Sequence, residues 1–253
     1  MIIKKQLYLS FILAYQDIKL RYRRSIIGPF WSTISMGVVI ASVGFVFGSI
    51  FRSPMEEYLP FLAVGLIVWT FILGTISEGC NVFIDSEHMI KQLNLPFSIF
   101  VLKIILRNLL LLSHNILILP FIFLFFEKPI TLSILLVIPG IILISFSIVW
   151  MVLLAGMFCA RYRDLPQIVI NLLQVSFYLT PIIWMPNLVP DRMGSSFLMF
   201  NPFFHLLEVV RAPFLGNPSS ISSWFIVAMI GLLGWIFTLF FYRRLRDQIV
   251  YWL

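Results

Sequence analysis

Six stretches of this chain are too long and too nearly free of charge to fold in water: Trp31–Phe51, Pro60–Gly79, Leu109–Phe126, Leu132–Ala160, Ile168–Met185 and Trp224–Tyr242. A bilayer core about 30 Å thick is crossed by about 20 apolar residues in helix. Composition agrees. Of 253 residues, 60% are apolar and only 11% charged, with a mean hydropathy of +1.01. A soluble domain carries about 25% charged residues, so a water-soluble enzyme is excluded, as are disordered, fibrous and disulfide-stapled classes. Outer-membrane barrels alternate polar and apolar residues and never run this hydrophobic. The expected fold is all-α, a polytopic membrane protein with six transmembrane helices.

Lysine and arginine orient such a chain. With the N-terminus cytoplasmic, fourteen of them fall on the inner side and four, Arg52, Lys128, Arg192 and Arg211, on the outer. Both termini are therefore expected to be cytoplasmic. The net charge of +7 belongs to that surface rather than to nucleic acid. Cys80 and Cys159 fall near the inner face, where thiols stay reduced, so no disulfide is expected. No signal peptide and no internal repeat are read in the chain.

Residues 1–30 form a first, interfacial segment and residues 31–253 the six-helix transmembrane bundle. In the former, Leu7, Phe11, Ile18 and Tyr22 share one side, as in an amphipathic helix lying in the inner interface; a basic tail is the alternative. Gly28-Pro29 should turn the chain into the first span. Pro139-Gly140 should break the long fourth segment. Phe197–Phe200 and Phe203–Val210 are too short to cross and too apolar for water, which suits short outer re-entrant helices.

Chemistry is sparse. No glycine-rich loop precedes a lysine, so nucleotide is not held by a phosphate-binding loop. His88, His114 and His205 are far apart, and no metal spacing appears. The first, fourth, fifth and sixth spans carry neither a charged residue nor a histidine, and an ion-driven carrier would need acidic or histidine relays within them. The chain is not expected to be an enzyme, nor to bind a cofactor itself. If it moves cargo uphill, its energy comes from another chain.

Specific strings then become informative. Arg21-Tyr22-Arg23-Arg24-Ser25-Ile26-Ile27-Gly28-Pro29-Phe30-Trp31 resembles the entry sequence of polysaccharide-export ABC permeases, the membrane subunits that export O-antigen, teichoic acid or capsule. Ile90-Lys91 with Leu95-Pro96-Phe97, Ala160-Arg161-Tyr162-Arg163-Asp164-Leu165, Tyr178-Leu179-Thr180-Pro181-Ile182, and Asn201-Pro202 leading to Arg211 and Gly216 follow in the same order. The resemblance covers nearly the whole chain. It implies a homodimer paired with two copies of a separate ATPase subunit that holds ATP and magnesium. The implied cargo is a glycan on a lipid carrier, commonly undecaprenyl diphosphate. An ABC permease for another lipid or a drug, or a scaffold of an envelope synthesis complex, are the rival readings.

The resemblance also assigns residues. Asp85–Phe97 matches the coupling helix that docks on the ATPase, with Asp85, Glu87 and Lys91 as contacts; Glu87 and Lys91 stand four apart, as a helical pair should. A solvated loop is the alternative. Arg163 and Asp164, with Arg161, form a second ATPase contact or a cationic rim for a diphosphate headgroup; a topological anchor is the alternative. Arg21, Arg23 and Arg24 are an anchor or a diphosphate site, since the guanidinium fork suits phosphate. Tyr58, Trp69, Phe177, Tyr178 and Trp184 either stack on sugars or belong to the interfacial aromatic belt. Pro181, Asn201 and Arg211 resemble an outer gate. Asn201 could cap the helix that Pro202 begins, and Arg211 needs Glu208, a carbonyl or water as partner. Gly37, Ala41, Gly44 and Gly48 make a small-residue stripe on the first span, for packing within the bundle or across a dimer.

Overall fold

A computed structural model describes residues 2–93, 95–129, 131–186 and 197–253. Among these residues every regular element is helical. In chain order they are α1 (Ile2–Arg21), α2 (Phe30–Phe51), α3 (Met55–Cys80), α4 (Glu87–Gln92), α5 (Ser98–Ile116), α6 (Ile118–Phe125), a 3-10 turn (Leu132–Leu136), α7 (Val137–Arg161), α8 (Leu165–Leu179), α9 (Pro202–Phe214) and α10 (Ile221–Trp252). Five helical stretches are long and apolar enough to cross a bilayer: α2, α3, Ser98–Phe125, Leu132–Arg161 and α10.

α3 is the centre of the bundle. It is apolar around its whole circumference, as a fully enclosed helix must be, and it packs on α2, α5, α7, α8 and α9. On α2, Gly44 and Gly48 let α3 approach, with Leu59 and Met55 lying over them. Gly37 faces open space and Ala41 is exposed, so only half of the small-residue stripe serves this contact. α7 and α10 run parallel: Phe146 sits over Gly231 and Trp150 over Gly234, and Arg161 lies 5.2 Å from the Trp252 ring.

Several boundaries differ from those the sequence suggests. The third span begins at Ser98 rather than Leu109. It is divided at Leu117, because Pro120 cannot donate to the Ile116 carbonyl one turn back. Pro139-Gly140 does not break the fourth segment. Pro139 is the third residue of α7, where a backbone N–H has no helical partner to lose; the change of geometry falls earlier, at the Leu132–Leu136 turn. The fifth segment is helical only to Leu179, and Thr180–Met185 is irregular. At 15 residues α8 is apolar but below spanning length.

α1 is helical and ends before Gly28, whose φ of +63° makes the turn into α2. One side of it packs on the bundle. Ser10, Ala14 and Ile18 pack on α5, and the Ser10 hydroxyl donates to the Ile99 carbonyl at 3.2 Å. Leu7 and Phe11 stay exposed beside Tyr8 and Tyr15. The small side chains of Ser10 and Ala14 allow close approach to α5, and the bulky ones are left outside.

Candidate functional site

Functional side chains gather at opposite ends of the bundle. At one end the chain leaves α3 through a tight turn and forms α4. Within α4 the Lys91 ammonium donates to Glu87 at 2.7 Å, and no side chain of this helix is buried. Lys91 holds the Glu87 carboxyl below its usual range, chiefly through that hydrogen bond, and the Arg163 charge adds to the effect. The helix ends at Gln92, before Pro96. Asp85 reaches solvent, yet partial desolvation raises its carboxyl against the pull of Lys103 and Arg107.

A charge cluster joins three helices at this end. Asp17 of α1 accepts from Lys103 at 3.0 Å and from Arg107 at 3.1 Å, both on α5. Arg107 also pairs with Glu78 near the end of α3. Glu78 accepts in addition from Asn108 at 2.6 Å and from Arg21 at 3.3 Å. Of the three arginines proposed for a diphosphate, the structure thus engages Arg21 in an internal pair. Arg23 and Arg24 are exposed, with no ion-pair partner among the described residues. Sequence reading did not join these groups, because they lie up to 90 positions apart. The available signal was Glu78, an acid at the end of an otherwise uncharged span.

At the opposite end Arg211 is only 2% exposed. It donates to the Pro181 carbonyl and, at 2.8 Å, to Glu208 one turn earlier, and its guanidinium lies 4.3 Å from the Phe61 ring centre. The irregular backbone after Leu179 supplies the Pro181 carbonyl, so the early end of α8 is what presents an acceptor to α9. Asn201 closes the same arrangement. Its carbonyl oxygen accepts from the Phe203 and Phe204 amides, capping α9 ahead of Pro202, while its amide donates to Thr180 Oγ1 at 3.0 Å. Pro181, Asn201 and Arg211 are therefore brought together, with Glu208, Thr180 and Phe61 added.

The five aromatic candidates divide. Tyr58 is enclosed, its hydroxyl donating to the Ile183 carbonyl at 2.6 Å. Trp69 is also buried, with Phe177 at 5.8 Å and Phe203 at 5.5 Å between ring centres. Both rings fill the interior of this chain and offer no open face to a ligand. Tyr178 is 71% exposed, and Trp184 donates from its indole to the Tyr178 carbonyl at 3.1 Å. Arg192, placed on the outer side from sequence, lies outside the described residues. No group of three or more histidine, cysteine or acidic side chains among the described residues could hold a metal ion.

Two O-antigen export system permease proteins, RfbA, from Klebsiella pneumoniae are 25% and 24% identical to this chain, over 90% and 93% of it and 87% and 91% of their own lengths. The O-antigen export system permease protein RfbA of Myxococcus xanthus is 23% identical over 80% of this chain and 78% of its own. The model of the ABC-2 type transporter family matches residues 8–215, and the chain belongs to that family of multi-pass membrane permeases.

Proposed function

We propose that this chain is the membrane subunit of an ATP-driven exporter that moves a lipid-linked, O-antigen-like polysaccharide outward across the cytoplasmic membrane. The observation that carries the reading is similarity to O-antigen export permeases over nearly the full length of both chains. Two copies of the chain would enclose the path, since among the described residues α3 fills the centre of one bundle. The basic end faces the cytoplasm in this reading, in line with the bias of lysine and arginine.

Each polar feature then has a role. α4, with Asp85, Glu87 and Lys91, meets a separate ATPase subunit that carries ATP and magnesium, and Arg163 and Asp164 extend that contact. Arg23 and Arg24, free of internal ion pairs among the described residues, present cations to a diphosphate headgroup, with Arg21 released from Glu78 as a third. Pro181, Asn201 and Arg211 lock the outer end. Tyr178 and Trp184 offer rings to sugar faces, while Tyr58, Trp69 and Phe177 support them from behind.

Deleting the gene and locating lipid-linked polymer tests the reading. Accumulation on the cytoplasmic leaflet with loss of surface glycan is the expected result. Unchanged surface glycan overturns it. Reversing the charges of Glu87 and Lys91 together is expected to weaken ATPase assembly.

A further inference from the structure

Three spanning segments begin or end beside one cavity. At the Arg211 end of the bundle α3 starts at Met55, the stretch Ser98–Phe125 ends, and the stretch Leu132–Arg161 starts. Glu57, Lys128 and Thr131 stand just inside or just past those limits. With Asn217, beyond α9, they form the polar rim of a cavity of about 430 Å³, whose wall includes the rings of Phe61 and Phe214. An apolar wall with a few converging polar groups is the usual make-up of a ligand site. Hydrogen bonds hold the cavity in shape. Ser133, bonded to the Thr131 hydroxyl, donates to the Pro213 carbonyl at 3.3 Å and so ties the chain ahead of α7 to the end of α9.

Glu57 and Lys128 are the charged groups of the lining. They do not pair with each other, and neither has an ion-pair partner among the described residues. Opposite charges held apart in one cavity disfavour a simple ion, because an anion also meets Glu57 and a cation also meets Lys128. A zwitterion satisfies both. The ends of spanning helices lie at the depth of the lipid headgroups. On the two stretches that flank the cavity, Leu124, Phe125, Leu132 and Leu135 are exposed and apolar, a surface along which acyl chains can lie.

We propose that this cavity holds the headgroup of a zwitterionic phospholipid with a primary ammonium, of the phosphatidylethanolamine type. Glu57 accepts from the ammonium, while Lys128 and the Asn217 amide donate to the phosphate. The bound lipid braces α9 against α3 at the end where Arg211 is fixed. This site depends on the membrane location of the chain and not on its cargo.

The complete transporter in neutral detergent is titrated with dioctanoyl phosphatidylethanolamine, dioctanoyl phosphatidylglycerol and glycerophosphoethanolamine, which lacks acyl chains. Native mass spectrometry counts what stays bound. Phosphatidylethanolamine should bind about ten-fold more tightly than phosphatidylglycerol, the gain that a hydrogen bond to a charged group supplies. Glu57→Gln should lose that preference and Lys128→Gln should weaken both lipids, with the unfolding temperature in lipid-free detergent unchanged. Equal binding of the two lipids to the unsubstituted chain overturns the proposal, as does a cavity that takes up neither because a second copy covers it. A preference that survives both substitutions also overturns it. Glycerophosphoethanolamine binding as tightly as the lipid would move the ligand from the membrane to solution and overturn the lipid assignment.

Discussion

Arg107 and Arg211 solve the same problem, an arginine within an apolar bundle, in opposite ways. Arg107 shares its charge with Asp17 and Glu78 on two other helices, and the acids of the cluster are about a quarter exposed. Arg211 is closed off and fixed to Glu208, a backbone carbonyl and an aromatic face. Partly wetted pairs can exchange partners cheaply, because water takes over the bonds that are released. A buried guanidinium cannot. The two ends therefore differ in kind: one can rearrange and the other is locked.

The comparison breaks first at Arg211. Arg211→Ala leaves the Glu208 carboxylate and the Pro181 carbonyl without their donor and should destabilise the chain by roughly 3–5 kcal/mol, read as a lowered unfolding temperature in detergent. A loss below that of any basic-end variant would void the contrast. Asn201→Ala comes next. It removes the cap of α9 and should cost about 1 kcal/mol, with faster amide exchange confined to the first turn of α9.

Asp17→Asn should cost less, about 0.2–1 kcal/mol at low salt for a partly exposed pair. The loss should shrink as salt is added. A double-mutant cycle with Arg107→Gln would show coupling between α1 and α5, and additivity within error would mean that the ion pair holds nothing.

The smallest effect is at α4. Lys91 holds the Glu87 carboxyl low, so the pair is intact above the ordinary carboxylate range and is lost as pH falls through the lowered value. Lys91→Ala should move the Glu87 titration upward toward its ordinary range, followed by carboxyl NMR. An unmoved midpoint would show that the pair is absent in solution.

Much of the architecture was legible because hydrophobic length is a local signal. Segments around 31–51, 60–79 and 224–242 read directly as helices, and Gly28-Pro29 read as a turn. The partners of Arg211 were also legible: Glu208 lies three positions away on the same helix, and few other groups at that end could satisfy the charge. Asn201 before Pro202 is a local cap signature. The cluster around Arg107 was not legible, because Asp17, Glu78 and Lys103 meet only after three helices pack. The burial of Tyr58 and Trp69 was hidden for the same reason, since an aromatic at a given depth reads alike whether it faces a ligand or the core. The end of α8 was misread because an apolar run does not reveal where its helix stops, which is Leu179 rather than Met185.

The rings of Phe146 and Trp150 seated over Gly231 and Gly234 carry a mechanical consequence. Rigid indole and phenyl plates resting in backbone hollows resist sliding along the axis, so the last helix of the chain cannot be drawn past its neighbour by even one turn. Force applied near the carboxyl terminus would move both helices as a single strut, whereas force applied to the amino-terminal helix meets the small side chains of Ser10 and Ala14 and charge pairs that can re-form at a new register.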